Sequence, residues 1–408
     1  MEPRSRGAEP PMNAPVSMPS VLALRPEAEH APESGIVEVA NYARGREGLI
    51  PLYVGEGDLA TPGFICEAAA RALAAGETFY TWQRGIPDLR QALARYHERL
   101  YGRASDPERF FVTIGGMHAA QIAVRMVAGT GDEVLIPTPA WPNFAGAIAV
   151  AGARAAPVPM TCTKAGWQLD LDRLEAAVTA RTRAIVVNSP ANPTGWTASL
   201  DDLREILALA RGRGLWIVAD EIYARFAYDS EAAIDGRTPS FRDVMDEDDR
   251  ILFVQTFSKN WAMTGWRIGW LEAPRQLGQV VENQIQYSTS GVPQFQQRAA
   301  VAALEEGESF VAHQIARARR GREIVCGLDA TGCVELPPPP GAFYAFLKVR
   351  GVTDSRALAL RLVDEANVGL APGTAFGAGG EGYLRLCFAR KAEDLEEAVR
   401  RLAPVLRA

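Results

Sequence analysis

Lys259 stands in "TFSKNWAMTGWRIG" (256–269), in a chain of 408 residues whose 43 basic side chains include only four lysines, at 164, 259, 348 and 391. Wherever charge alone is wanted, this sequence uses arginine. A buried amine can release its proton and bond to a carbonyl carbon, whereas a guanidinium keeps its proton. A lysine among Thr256, Ser258 and Arg267 is therefore a candidate for a task that arginine cannot perform. Other apolar runs lead into reactive types as well. "RFFVTI" (109–114) is followed by Gly115, Gly116 and Met117, and "RAIVVNSP" (183–190) by "ANPTG" with Asn192. "LWIVA" is followed by Asp220 and Tyr223. Taken singly, most have plain explanations: Gly-Gly a turn, Asn-Pro-Thr-Gly a β-turn, Asp220 a helix cap, Arg267 a surface ion pair. Their joint order is what carries weight.

The elements that must position these groups alternate from about residue 63 onward. "PGFICEAAARALAAG" reads as a helix ending at Gly76, and a second helix opens on Gly115-Gly116. Short β-rich runs at 109–114, 132–137, 183–190, 215–221 and 250–257 read as strands. Between two of them "SLDDLREILALARGRG" has Ser199 as N-cap and one apolar face of Leu203, Ile206, Leu207 and Ala210. Strands alternating with helices predict an α/β fold with a mostly parallel sheet covered on both faces. In such sheets ligands bind beyond the carboxyl ends of the strands, where the groups above converge. After about residue 305 the pattern changes to an α+β lobe: helices at 308–327 and 354–367, strands in "GAFYAFLKV" and "GYLRLCFA", and a final helix. The expected organisation is a flexible N-terminal arm (1–35), a large domain (58–305), and a small domain built from 36–57 and 306–408.

Composition narrows the classes. The apolar and charged fractions, 48% and 23%, are those of a soluble globular protein, and a net charge of −6 argues against nucleic-acid binding. Five cysteines without a Cys-x-x-Cys pair and four histidines without ligand spacing predict neither a disulfide framework nor a metal site, and point to a reducing, cytoplasmic compartment. No apolar run reaches the ~20 residues of a membrane span. The first 20 residues, rich in Pro and Ser, read as an arm and not a signal peptide.

From residue 36 onward the chain resembles the class I/II aminotransferases of the aspartate aminotransferase superfamily, enzymes of pyridoxal 5′-phosphate (PLP) fold type I. The resemblance rests on "VGEGD" (54–58), "FYTWQRGIPDLRQAL" (79–93), "TIGGM" (113–117), "PTPAWP" (137–142), "NSPANPTG" (188–195), "ADEIY" (219–223), "TFSKNWAMTGWRIG", "PPGAFY" (339–344), "PGTAFG" (372–377) and "GYLRLCFA" (382–389). It implies a seven-stranded sheet and a Lys259 Schiff base with PLP. It further implies Asp220 at the pyridine nitrogen, with Tyr223 and Asn192 at the ring oxygen and Trp141 on the ring face. Gly115, Gly116, Met117, Thr256, Ser258 and Arg267 would hold the phosphate, together with Tyr80 of a second subunit in a homodimer with shared sites. Arg385, with Asn192 and Gly55, would take the substrate carboxylate. The implied activity is transfer of an amino group from an α-amino acid to a 2-oxo acid, expected to be 2-oxoglutarate. A PLP lyase or cyclising synthase on the same fold is the alternative, and a non-catalytic PLP-binding regulator stands third. Three positions depart from the family pattern: Gly57 replaces a proline, and Trp261 and Trp141 stand where tyrosine is common. These leave the donor amino acid unassigned, and no second cation for an acidic donor is identifiable.

Overall fold

Apolar, β-branched runs give seven strands of one sheet: β1 (Phe110–Thr113), β2 (Glu133–Thr138), β3 (Arg154–Pro159), β4 (Thr182–Asn188), β5 (Trp216–Asp220), β6 (Ile251–Thr256) and β7 (Gly269–Glu272). The spatial order is β1-β7-β6-β5-β4-β2-β3. Only β7 runs antiparallel to its neighbours. The computed structural model describes residues 24–29, 31–228 and 233–407. Residues 1–23 of the expected N-terminal arm lie outside the described residues, while Gly35–Tyr42 is helical.

Side-chain alternation explains why these strands read as unbroken apolar runs. Val134, Ile136, Val186, Val218 and Leu252 pack on one face of the sheet. Leu135, Ile185, Val187, Ile217 and Phe253 pack on the other. With both faces covered, neither set can be polar. The helix Leu200–Arg213 covers one face with Leu203, Ile206, Leu207 and Ala210. Ser199 caps it in a capping box with Asp202, and Gly214 ends it at φ 67°.

Two strands escape a reading by propensity. β3, "RAAPVP", carries two prolines and is tolerated because it is an edge strand. β7, "GWLE", is short and inserts between β1 and β6.

The second sheet has four strands in the order Val334–Glu335, Tyr344–Val349, Tyr383–Cys387, Ala371–Pro372. Helices Glu308–Cys326, Ser355–Glu365 and Ala392–Arg407 contribute to the core around it. Early chain joins late chain here. Ile50–Pro51 pairs in parallel with Val368–Gly369, and the Cys387 N–H donates to Leu52 O at 2.9 Å. Residues 52–55 are thereby laid along strand Tyr383–Cys387, facing the carboxyl ends of β5 and β6. Among the described residues no helix is long and apolar enough to cross a membrane.

Candidate active site

Lys259 lies three residues past the end of β6. Its ammonium donates to Gly55 O at 2.7 Å, and the Tyr344 hydroxyl donates to the same carbonyl at 3.3 Å. Nζ sits 5.8 Å from the centre of the Tyr223 ring. Gln314, from the helix Glu308–Cys326, donates to the carbonyls of Lys259 at 3.1 Å and Asn260 at 2.7 Å, which fixes the backbone beneath the amine. Loss of surrounding water lowers the Lys259 pKa to about 8.

Asp220 is the last residue of β5 and is buried. Among the described residues its carboxylate accepts only the Ile222 N–H, at 3.3 Å, and no cation lies in ion-pair reach. Burial pushes its pKa up to about 7. Tyr223 follows in a turn. Its buried hydroxyl meets that of Tyr344 at 2.8 Å.

Asn192 is positioned by Asn188, whose side chain accepts the Asn192 N–H at 2.8 Å and donates to Asp220 O at 3.1 Å. The Asn192 side-chain oxygen accepts from Arg385 at 3.0 Å. Arg385, on strand Tyr383–Cys387, is buried and also donates to Tyr53 O. Its guanidinium is sandwiched by rings, 4.8 Å from the centre of Tyr344 and 4.9 Å from that of Phe376. Among the described residues it has no carboxylate partner, and its Nε has no hydrogen-bond partner. Lys259 and Arg385 thus grip the same short segment, Tyr53–Gly55. A side chain at Gly55 would put Cβ 2.8 Å from the Tyr344 hydroxyl, so glycine lets the segment lie this close.

A second group forms at the start of helix Gly115–Val127. The N–H groups of the first residues of a helix have no intrahelical acceptor. Gly115 has φ 74°, and a Cβ there would meet an Arg267 terminal nitrogen at 2.8 Å. Gly116 packs against Thr256, whose hydroxyl donates to the Ser258 oxygen at 2.9 Å. Arg267 is exposed and makes no ion pair among the described residues; its one bond is to Thr264 O at 2.8 Å. Met117 belongs to the same helix start and lines a cavity together with the half-buried Trp141. Tyr80 is the exception. It is 93% exposed and joins neither group within one chain.

Tyr344, Phe376, Asn188 and Gln314 carry contacts that went unassigned from sequence. Tyr344 and Phe376 belong to the quoted "PPGAFY" and "PGTAFG" segments, and Asn188 opens "NSPANPTG". Nothing in the pattern of residues 308–327 marked Gln314.

A mostly parallel sheet carries at one edge a lysine, a carboxylate without an ion-pair partner and an arginine without a carboxylate among the described residues, an arrangement suited to carbonyl chemistry on an anionic substrate. Residues 47–402 match the family described as aminotransferase class I and II. The chain is 36% identical to an aspartate aminotransferase of Pyrococcus abyssi, covering 92% of this chain and 96% of that one. It is 35% identical to aromatic-amino-acid aminotransferase 2 of Thermococcus litoralis, covering 95% and 99%. A crystal structure of aspartate aminotransferase from Thermotoga maritima superposes with a TM-score of 0.87 at 32% identity, covering 94% of this chain and all of the other. The chain belongs to the class I and II aminotransferases, which use PLP.

The residues present fit that cofactor. The hollow at Gly115, which any Cβ would fill, lies beside an exposed arginine and a helix N-terminus, the setting that suits a phosphate. Lys259 offers an amine that is partly neutral near pH 7, and Asp220 a buried carboxylate lacking a cation.

Proposed function

We propose that the chain transfers an amino group from an α-amino acid to a 2-oxo acid, that Lys259 bonds the cofactor aldehyde, and that 2-oxoglutarate is the first acceptor to test. The observation that carries this reading is Arg385: a buried guanidinium without a carboxylate, bound to the same segment as Lys259. A planar two-pronged donor of this kind is suited to the carboxylate of an amino acid.

When bound, PLP supplies a protonated pyridine ring that draws electrons away from the substrate Cα. Asp220 would keep the proton on the ring nitrogen, since among the described residues no cation lies within ion-pair distance of its carboxylate. Tyr223 and Asn192 would donate to the ring's phenolic oxygen, and Trp141 would cover the ring face. Gly115 leaves room for Arg267. With the N–H groups of Gly116 and Met117 and the hydroxyls of Thr256 and Ser258, Arg267 would hold the phosphate. Lys259 would be the group that takes a proton from the substrate Cα and returns it. A pKa lowered to about 8 lets it accept and return that proton near neutral pH. Arg385 orients the substrate through its carboxylate, assisted by Asn192 and Gly55.

The active unit in this reading is a homodimer, with the partner subunit's Tyr80 completing the phosphate site. Phe79, Tyr80, Trp82 and Tyr287 are all strongly exposed in one chain, and Gln83 bonds Gln286 at 2.5 Å, bringing the two segments together. Exposed aromatic clusters of this kind mark association surfaces. The two lobes would be 58–305 and 36–57 with 306–408, in a cytoplasmic enzyme with free cysteines.

The test is a panel of amino donors added to the PLP-loaded protein while the cofactor absorbance is followed. Stoichiometric conversion to the aminated cofactor, reversed by a 2-oxo acid, is the expected result. Release of ammonia or a thiol without that conversion overturns the reading in favour of a lyase.

A further inference from the structure

Tyr344 opens the strand Tyr344–Val349 of the small sheet, and its buried hydroxyl stands where three parts of the site meet. It lies 2.8 Å from the Tyr223 hydroxyl and 3.3 Å from Gly55 O, and its ring packs on the Arg385 guanidinium at 4.8 Å. Strand pairing sets this position. Tyr344 is paired with Cys387 and Phe346 with Arg385, so Tyr344 and Arg385 are diagonal neighbours on one face. The Tyr223 and Tyr344 rings meet edge to face with centres 5.5 Å apart, a favoured geometry for two buried aromatics.

The distances and the proton count say which way these hydroxyls point. Burial raises both pKa values above the ordinary range of tyrosine, so both keep their protons at neutral pH. Each hydroxyl has one proton to give and room to accept another. Without cofactor, Tyr223 donates to Tyr344, and Tyr344 donates to Gly55 O. That second bond is weak. Hydroxyl-to-oxygen bonds run about 2.5–3.0 Å, against 3.3 Å here, and the same carbonyl already takes the Lys259 ammonium at 2.7 Å. Once Tyr223 gives its proton to the cofactor's phenolic oxygen, its own oxygen is left as an acceptor. Tyr344 is then the donor at full bonding distance.

We propose that Tyr344 is a positioning residue for the cofactor: its hydroxyl turns from Gly55 O to Tyr223 when PLP binds, and so makes Tyr223 the stronger donor to the phenolic oxygen. This rests on the placement of Tyr223 proposed above. Donation to a hydroxyl strengthens that hydroxyl's own donation. A stronger donor favours negative charge on the phenolic oxygen, and that charge is fullest once the link between Lys259 and the cofactor has lost its proton. The chain of hydroxyls therefore lowers the pKa of that link. The charged and titratable groups around the pair are Arg385, Asp220, Cys387 and Lys259, and removing the Tyr344 hydroxyl alone alters none of them.

The test is a pH titration of the PLP-loaded protein by absorbance, without substrate. Tyr344→Phe keeps the ring against Arg385 and should raise the pKa of the link by about 0.5–1, the size of one net hydrogen bond. Tyr223→Phe should raise it further. In the double variant, Tyr344→Phe should add nothing beyond Tyr223→Phe, because it acts through that hydroxyl. Replacing Tyr344 by 3-fluorotyrosine, whose more acidic hydroxyl is the stronger donor, should move the pKa down. An unmoved pKa in Tyr344→Phe, or shifts that add in the double variant, overturns the inference while Tyr223 keeps its place. If Tyr223→Phe alone leaves the pKa unmoved, the placement of Tyr223 has failed and the inference falls with it. Should Tyr344→Phe not fold, the fluorinated protein decides by sign: a downward shift supports the chain, and none refutes it.

Discussion

Two buried carboxylates on the same sheet have opposite fates. Glu133 opens β2 at the amino edge. Arg154 at 2.9 Å and the Thr179 hydroxyl at 2.8 Å bond it, with Arg181 beside them, and these partners hold its pKa down to about 2. Asp220 closes β5 at the carboxyl edge, has no cation within ion-pair distance among the described residues, and is pushed up to about 7 by burial against the weaker pull of the more distant Lys259. The arginines differ likewise. Arg154 and Arg181 are exposed and paired, while Arg385 is buried and has no carboxylate partner among the described residues. One edge satisfies its own charges, and the other holds them for something to be bound.

The comparison breaks most severely if Asp220 is dispensable. Asp220→Ala keeps Lys259 and the phosphate donors, so the protein should still take up PLP and turn yellow. Turnover should fall about 100- to 1,000-fold, as loss of one contact that stabilises charge in the transition state does. A PLP analogue carrying a permanent positive charge on an N-methylated ring should restore part of the rate. Full activity of the variant, or no rescue by an analogue that binds, removes Asp220 from the ring nitrogen. Next in size, Arg385→Ala should raise KM for every amino acid by roughly 10- to 100-fold with PLP uptake unchanged. Arg154→Ala at the other edge should leave KM where it was. Mixing Tyr80→Phe with Lys259→Ala should form mixed dimers with one intact site, and these should recover at most about half the wild-type activity. Mixed dimers that regain nothing beyond the two parents refute the shared site.

The buried strands and the helix Leu200–Arg213 were the legible part of the sequence. β2, β4, β5 and β6 announce themselves because both faces are covered, and Ser199 with Asp202 marks its helix start through local bonds alone. The two strands that did not declare themselves owe their place to neighbours: β3 to the edge that tolerates Pro157, β7 to the slot between β1 and β6. At the site, Lys259, Asp220 and Arg385 could be picked out by type and by resemblance. Their supports could not be read from local pattern. Lys259 bonds a carbonyl 204 residues away, and Tyr223 meets Tyr344 across 121. Such pairs are products of the fold, and no local periodicity reports them.

The smallest effect is the most discriminating, because the two carboxylates should respond to neutralisation with opposite sign in the cofactor-free protein. Glu133 has a folded pKa below its unfolded value near 4.5, so its stabilisation is present above that pH and lost as pH falls toward about 2. Glu133→Gln should therefore lower Tm at pH 7, with the deficit shrinking below pH 4.5. Asp220 has a folded pKa raised from 3.8 to about 7, so the folded state holds a proton that the unfolded chain has already released. Its cost is absent below pH 4, grows through the interval, and is complete above pH 7. Asp220→Asn should accordingly raise Tm at pH 8, by a few degrees, and by progressively less as pH is lowered to 4. Saturating PLP should erase that gain, because the wild-type carboxylate then has the ring's positive charge to face and the amide does not. Scanning calorimetry of both variants, with and without PLP, reads all four cases. An Asp220→Asn protein less stable than wild type at pH 8 without PLP would show that the carboxylate already has its partner within the fold, and the contrast between the two edges would collapse.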